Sequence, residues 1–437
     1  MSNEVKTNDG WGSRIGYILS TLGMAVGVGA MWRFPMLCAQ YGGGAFVLAF
    51  VIVTILAVIP AGWAESALGR KYKMSAVGVF GKLAGKKGTG FGYLMAITPL
   101  GLMFYYPIIM ATVLMYIFYT FAGAPFLSDV SGFYDKINGN RPAIYICVVL
   151  IILATALISL RGIKNGVEKA CKILLPVMFV FLIVIVIRVF TLPGIAEGIE
   201  FYVKPDWSQL ANPSLWSSAA GMALFAVGLG PGYLLTYGMY LDDKADLATD
   251  FLTVNVTQLL ICVLCGFATI PAVILFGLDP LAGKGLIFMS LPMVFSKLSG
   301  GMIWFVLFMF ALFFAGLSTT LSMMEIPATC LMDGLGWTRK KSIWVVTIIS
   351  IIGAIPCVWS DVFFAFFDNL IGNVFYSVTA AVVALFLAWC VGAKKIREEW
   401  YNPTSVVKWG SWVDILYKFI AVPAFAYFAI TAILTLF

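Results

Sequence analysis

The 437-residue chain contains no histidine, and only 11% of it is charged. The missing imidazole removes the side chain that titrates nearest neutrality and the commonest metal ligand. No paired nucleophile and base and no strand-borne phosphate loop take its place, so enzyme chemistry is not expected. Polar residues are too few to cover a soluble core. Basic and aromatic residues are not interleaved, which argues against a nucleic-acid partner. The eight cysteines lie in or beside apolar runs, and Cys262 and Cys265 form an isolated CxxC. Zinc wants four such ligands, so these thiols read as packing. No small-residue cleavage pattern follows the polar start "MSNEVKTNDG", and no signal peptide is expected.

What the chain has is hydrophobicity, at 61% of residues. A membrane-spanning helix needs about 20 mainly apolar residues. Apolar runs centred near residues 25, 55, 108, 150, 180, 226, 265, 312, 350, 378 and 427 predict about eleven spans. An odd number puts the chain ends on opposite sides. Alternate loops carry the basic residues of "GRKYKMSAVGVFGKLAGKK", "RGIKNGVEKACK", "TRKK" and "GAKKIR", with the acidic "LDDKADLATD" as the exception on that side. This bias predicts a multi-pass plasma-membrane protein with its N-terminus in the cytoplasm and its C-terminus outside.

Two octapeptides read almost alike, "MAVGVGAM" at 24–31 and "FAVGLGPG" at 225–232, each inside an apolar run. Glycine weakens a helix by about 1 kcal/mol against alanine, and Pro231 removes a donor. Close helix packing through small residues is the plain explanation, and Gly23 and Gly27 fit its spacing. The recurrence favours broken helices. Five crossings separate the two spans, so the phrase is read in opposite directions, as in an inverted repeat of five plus five helices. Such interrupted segments are the best sequence pointer to a transporter's binding site.

The pieces "WGSRIGYIL", "AVGVGAMWRFP", "YGGGAF", "PAGWAESALGR", "FYY", "GIKNGVEKACKILLP", "LFFAGLSTT" and "DNLIG" occur in this order from about Trp11 onward. Together they resemble the neurotransmitter:sodium symporter family (solute carrier family 6), in its bacterial amino-acid branch. The resemblance implies an all-α membrane transporter with discontinuous helices 1 and 6, forming one domain over 1–437. The repeats would span about 11–190 and 212–392, with an extra helix at about 413–437. It implies a Na⁺ site from the carbonyls of Gly23, Val26 and Ala315 and the hydroxyls of Ser318 and Thr319, oxygen ligands suited to a hard cation. Those hydroxyls, with that of Thr320, also have the option of bonding back to the preceding helical turn.

A second family Na⁺ site would lack side-chain oxygens at Ala30 and Ala226, with Thr257 or Gln258 near its third position, so one Na⁺ is expected. Ile261 or Cys262 falls at the chloride-linked position, and no chloride is expected. Gly27 stands where amine transporters of the family carry a carboxylate, so the substrate should bring its own. This implies an amino acid whose carboxylate meets Val28, Gly29 and Tyr106 and whose amino group meets the carbonyls of Ala25 and Phe225. Its side chain would lie among Leu102, Phe225, Gly228, Pro231, Thr319 and Met323, with Met24 taking back some of the space. Arg33 and Asp368 match an outer gate ion pair, direct or bridged by water, that closes over bound substrate. Trp11, Tyr240 and Asp333 match an inner gate whose basic partner is replaced by Asn8, with Lys6 nearby. Gly166 and Pro176 match a spacing that marks unwinding of helix 5. Glu65 is expected to brace the broken sixth span. Glu325 is read either as a solvated vestibule residue or as a proton-coupling group. The function implied is Na⁺-coupled import of neutral, apolar L-amino acids by alternating access. A proton-coupled or Na⁺-independent transporter, or a non-transporting amino-acid sensor, stands as the alternative.

Overall fold

The computed structural model describes residues 9–123, 129–281, 285–434 and 436. Among them the only β-bridge is the isolated pair Gly43 and Pro205; the rest of the regular structure is helical. Helix α1 (Arg14–Ala25) and α2 (Val28–Gln40) meet at a 55° bend. They are followed by α3 (Gly44–Tyr72), α4 (Ala76–Phe121), α5 (Arg141–Ser159) and α6 (Ile163–Phe190). Then come α7 (Pro213–Val227), α8 (Tyr233–Met239), α9 (Leu247–Leu275), α10 (Gly301–Leu335), α11 (Arg339–Trp359), α12 (Asp361–Tyr401) and α13 (Trp412–Leu434). Nine of these are individually long and apolar enough to cross a membrane. With α1–α2 and α7–α8 each counted as one interrupted span, they match the eleven apolar runs of the sequence.

Local chemistry sets the ends and the breaks. Ser13 caps α1 by accepting from the Gly16 amide, and α1 stops at Val26, whose ψ of 78° leaves the helical region. Helix α7 ends on Gly228 at φ +73°, and α8 begins after Gly232 at φ +88°. Between them Gly230, at φ +105°, lies against α12: a Cβ there would sit 2.4 Å from the Ala380 Cα. No side chain fits that contact, which explains the glycine better than flexibility does. Helix α4 turns sharply at Ala84 and Gly85, so its first two turns form a separate segment from its membrane-length stretch.

Helix α4 packs along α10, α8 along α3, α6 along α10 and α12 along α13. The C-terminal end of α3 is tied to later parts of the chain. Arg70 donates to the Ala245 carbonyl (2.5 Å), the Thr404 hydroxyl (2.9 Å) and the Trp400 carbonyl. Trp63 packs on Trp409 with ring centroids 4.5 Å apart, and Arg397 holds Asp414 through two contacts of 2.9 Å. These contacts seat α13 and its preceding hairpin against the rest of the bundle.

Candidate functional site

Where α1 ends, α10 passes close by. The Ser318 hydroxyl donates to the Ala315 carbonyl (2.8 Å) and the Gly23 carbonyl (3.1 Å), and Thr319 lies 3.0 Å from both. Each hydroxyl therefore makes the back-bond to its own helix and also reaches α1. A Cβ at Gly23 would stand 2.8 Å from the Ser318 Cβ, so the approach requires glycine. Val26, fully buried, ends α1 next to this cluster. The donor set is carbonyl and hydroxyl oxygen without carboxylate, which fits a singly charged hard cation better than a divalent one. Thr320 is turned elsewhere, bonding Leu317 and Thr155.

The second face of the break looks toward α4 and α7. The Val28 amide donates to the Tyr106 hydroxyl at 3.0 Å. A Cβ on Gly27 would lie 3.0 Å from that hydroxyl and 3.1 Å from the Thr319 hydroxyl, which leaves no room for an acidic side chain. Gly29 faces the Phe225 ring (3.2 Å from its would-be Cβ), and Phe225 tilts against Tyr376 with centroids 5.5 Å apart. Beside Gly228 the space is occupied by the Met24 methyl, 3.1 Å from a Cβ placed there. Leu102, one turn before Tyr106, and Met323, one turn after Thr319, are both buried. Ala25 closes α1, and Pro231 lies in the α7–α8 break. The expected cation and substrate residues are thus gathered around the two breaks.

Glu65 on α3, wholly buried, accepts from the amides of Gly230 (2.9 Å) and Leu235 (3.4 Å). It supplies acceptors that the α7–α8 break lacks, as in the bracing role read from the sequence. Glu65→Gln exchanges one acceptor oxygen for an N–H₂ group that faces a backbone N–H. Each buried amide left unpaired costs about 1–3 kcal/mol. A lower midpoint of thermal unfolding in detergent is expected, and a variant as stable as wild type counts against the brace.

The outer gate residues stand apart here, and the inner gate differs from expectation. Arg33 and Asp368 form no ion pair within 4 Å among the described residues. Asp368 instead meets the Tyr105 hydroxyl, close to Gly372, while Arg33 borders a 220 Å³ cavity with Ser217, Ser218, Asn373 and Phe428.

At the opposite end Trp11 donates from its indole to the Tyr237 carbonyl (3.0 Å) and from its amide to the Tyr240 carbonyl (3.3 Å). The Tyr240 hydroxyl donates to Glu325 at 2.7 Å. Arg339 grips Glu325 through two nitrogens (2.8 and 2.7 Å), also donates to the Ser159 carbonyl, and approaches Asp9 at 4.0 Å. Glu325 is fully buried and paired, not solvated.

Asp333 is not part of this constellation. It lies eight residues beyond Glu325, about 12 Å along α10 at 1.5 Å per residue, and accepts from the Ser75 amide at 2.5 Å. The sequence reading missed Arg339 because "TRKK" looked like an ordinary topogenic loop. Asn8 and Lys6 lie outside the described residues. Further clasps hold the same segment: Asp9 accepts from Ile163, Glu168 from Gly12 and Ser13, and Asp250 from Arg14. Helix α6 is helical throughout, with a wide first turn at Ile163–Glu168 and Pro176 inside it, so the expected opening between Gly166 and Pro176 is not present in this conformation.

Two interrupted spans whose breaks meet within a bundle of membrane-length helices are the architecture of a polytopic secondary transporter. The chain belongs to the sodium:neurotransmitter symporter family, whose sequence profile matches residues 8–136 and 131–437. It is 34% identical over 447 residues to an uncharacterized sodium-dependent transporter of Haemophilus influenzae, covering 96% of each chain. A sodium-dependent transporter of Bacillus subtilis, also uncharacterized, is 30% identical over 415 residues and 91% of each. The crystal structure of MhsT in complex with L-phenylalanine matches with a TM-score of 0.87 at 30% identity, over 97% of this chain and 99% of that one. The fold is that of this transporter family, and the protein is one of its sodium-dependent members.

Proposed function

We propose that the protein imports neutral amino acids, coupled to one Na⁺ per cycle, by alternating access. The observation that carries this reading is the oxygen cluster of Gly23, Ala315, Ser318 and Thr319 directly beside the Val28–Tyr106 contact. Na⁺ bound there would fix α1 against α10 and so order the backbone that receives the substrate. With no acidic group at Gly27, the substrate would supply the carboxylate, and the MhsT structure holds an amino acid, L-phenylalanine. That carboxylate would take the amides at Val28 and Gly29 and the Tyr106 hydroxyl, with the amino group at the carbonyls of Ala25 and Phe225. Leu102, Phe225, Gly228, Pro231 and Met323 would receive the side chain.

Methyl groups at Ala30 and Ala226 favour a single coupled cation. Cys262 and Ile261 offer chloride no charged or hydroxyl partner. Trp11, Tyr240, Glu325 and Arg339 would close the cytoplasmic side, while Arg33 and Asp368 would close the outer side over bound substrate. Opening of α6 between Gly166 and Pro176 would release Na⁺ inward. The two repeats at about 11–190 and 212–392 would carry these motions, with the segment from about 413 added outside them. By the bias of its basic loops the N-terminus would lie in the cytoplasm beneath a plasma membrane and the C-terminus outside. The pairing of Glu325 with Arg339 supports a structural role over proton coupling.

The test is uptake of a labelled amino-acid panel into proteoliposomes under an inward Na⁺ gradient, a choline control and a proton gradient. Accumulation driven by Na⁺ alone supports the reading. Uptake indifferent to Na⁺ rejects it, and saturable binding without uptake identifies a sensor.

A further inference from the structure

A buried hydroxyl without a hydrogen-bond partner is costly, by about 1–3 kcal/mol, and in a binding site the missing partner points to the ligand. Tyr233, the first residue of α8, is 3% exposed, and its hydroxyl is enclosed without a partner. The residue belongs to the break itself: its Cβ lies 3.3 Å from the position a Cβ would take on Gly228, next to the Met24 methyl. Its hydroxyl is near enough to feel those of Tyr105, Tyr106, Tyr237 and Tyr376. Tyr106 serves the Val28 amide, and Tyr376 packs on Phe225, so the phenol is directed among the groups that surround the proposed substrate. Other unpartnered phenols behave differently. The rings of Tyr17 and Tyr237 pack against Trp11 at the closed end.

We propose that Tyr233 reads the substrate's side chain through a hydrogen bond. The preferred cargo is then an aromatic amino acid with a polar ring atom, a phenol hydroxyl or an indole N–H. This rests on the amino-acid import reading and replaces its purely apolar side chain with a more specific one. The wall supports an aromatic ring: Phe225 and Tyr376 offer ring faces and edges, and Met24 and Met323 offer thioethers, which pack well on aromatics. None of these residues is charged, so an ionised side chain would have no counter-charge. A site built to hydrogen-bond a hydroxyl rejects the analogue that lacks it, because its own polar group is then left unpaired.

The experiment compares L-tyrosine, L-phenylalanine and L-tryptophan uptake in proteoliposomes holding the full-length wild type or Tyr233→Phe. Wild type is expected to favour tyrosine over phenylalanine by about tenfold or more, the equivalent of about 1.4 kcal/mol. In Tyr233→Phe that ratio should fall toward one, with tyrosine uptake losing far more than phenylalanine uptake. A parallel measurement needs no variant: L-4-methylphenylalanine, similar in shape to tyrosine but lacking the hydroxyl, should compete at least about tenfold worse in wild type. A wild-type ratio near one, equal competition by the methyl analogue, or a Tyr233→Phe protein with the wild-type ratio overturns the proposal. If wild type accumulates no amino acid from the panel under a Na⁺ gradient, the import reading itself has failed.

Discussion

Thr319→Ala is expected to raise the Na⁺ concentration needed for half-maximal uptake by about tenfold or more. The Thr319 hydroxyl stands 3.0 Å from the carbonyls of both Gly23 and Ala315, at the junction of α1 and α10. Hydrogen-bond-strength interactions with a charged group are worth about 1.5–3 kcal/mol, which is more than a factor of ten in affinity. Alanine keeps the helix and removes the oxygen, and a methyl group offers the cation nothing. Thr319→Ser retains the hydroxyl and should restore most of the Na⁺ response. The readout is initial uptake rate against Na⁺ concentration, with thermal stability as a folding control. An alanine variant with the wild-type Na⁺ curve would remove this cluster from the coupling mechanism.

Arg339→Ala should have the largest effect at the opposite end. It leaves Glu325 buried in the bundle with only the Tyr240 hydroxyl as donor. Breaking a buried pair by removing one partner costs about 3–5 kcal/mol, far more than an exposed pair contributes. That energy is expected to appear as release of the N-terminal clasp, because the same guanidinium also holds the Ser159 carbonyl and approaches Asp9. Hydrogen exchange should accelerate in residues 9–14 and 237–241, and uptake should fall. Glu325→Gln with Arg339→Gln, which removes both charges, should recover part of the loss. Unchanged exchange in Arg339→Ala would show that this network does not hold the gate.

Much of the architecture was legible because membrane folding leaves few alternatives. Backbone groups in hydrocarbon must be satisfied within a helix, so a doubled glycine-rich phrase announced two breaks, and both are present at Val26–Gly27 and Gly228–Gly232. Ser318, Thr319 and Tyr106 entered through the family resemblance, because a hydroxyl inside an apolar run can equally bond back to its own helix; the structure places all three beside the first break. The gates were harder. Charge in a loop sequence states which side of the membrane a segment prefers, not which buried partner it finds, so Arg339 passed as topology and Asp333 as a gate. Tyr233 carried no signal at all in a chain with 18 tyrosines. Its distinguishing property, a hydroxyl without a partner, exists only once the neighbours are placed.

The two breaks also differ in how they are supported, and the difference has a mechanical consequence. Glu65 on α3 takes amides on both sides of the Gly232 turn, and α8 packs along α3, so that junction is pinned to one neighbour by a single carboxylate. Gly230 adds a backbone contact with Ala380 that admits no slack. At the first break the Val28 amide relies on a phenol from α4 and the Gly23 carbonyl on two hydroxyls from α10, contacts made by side chains that can rotate away, and α1 is held at its far end by polar clasps that water can replace. One junction therefore serves as the pivot and the other as the spring. Compliance is concentrated in α1, and the barrier to opening is set mainly by how firmly its first turn is moored.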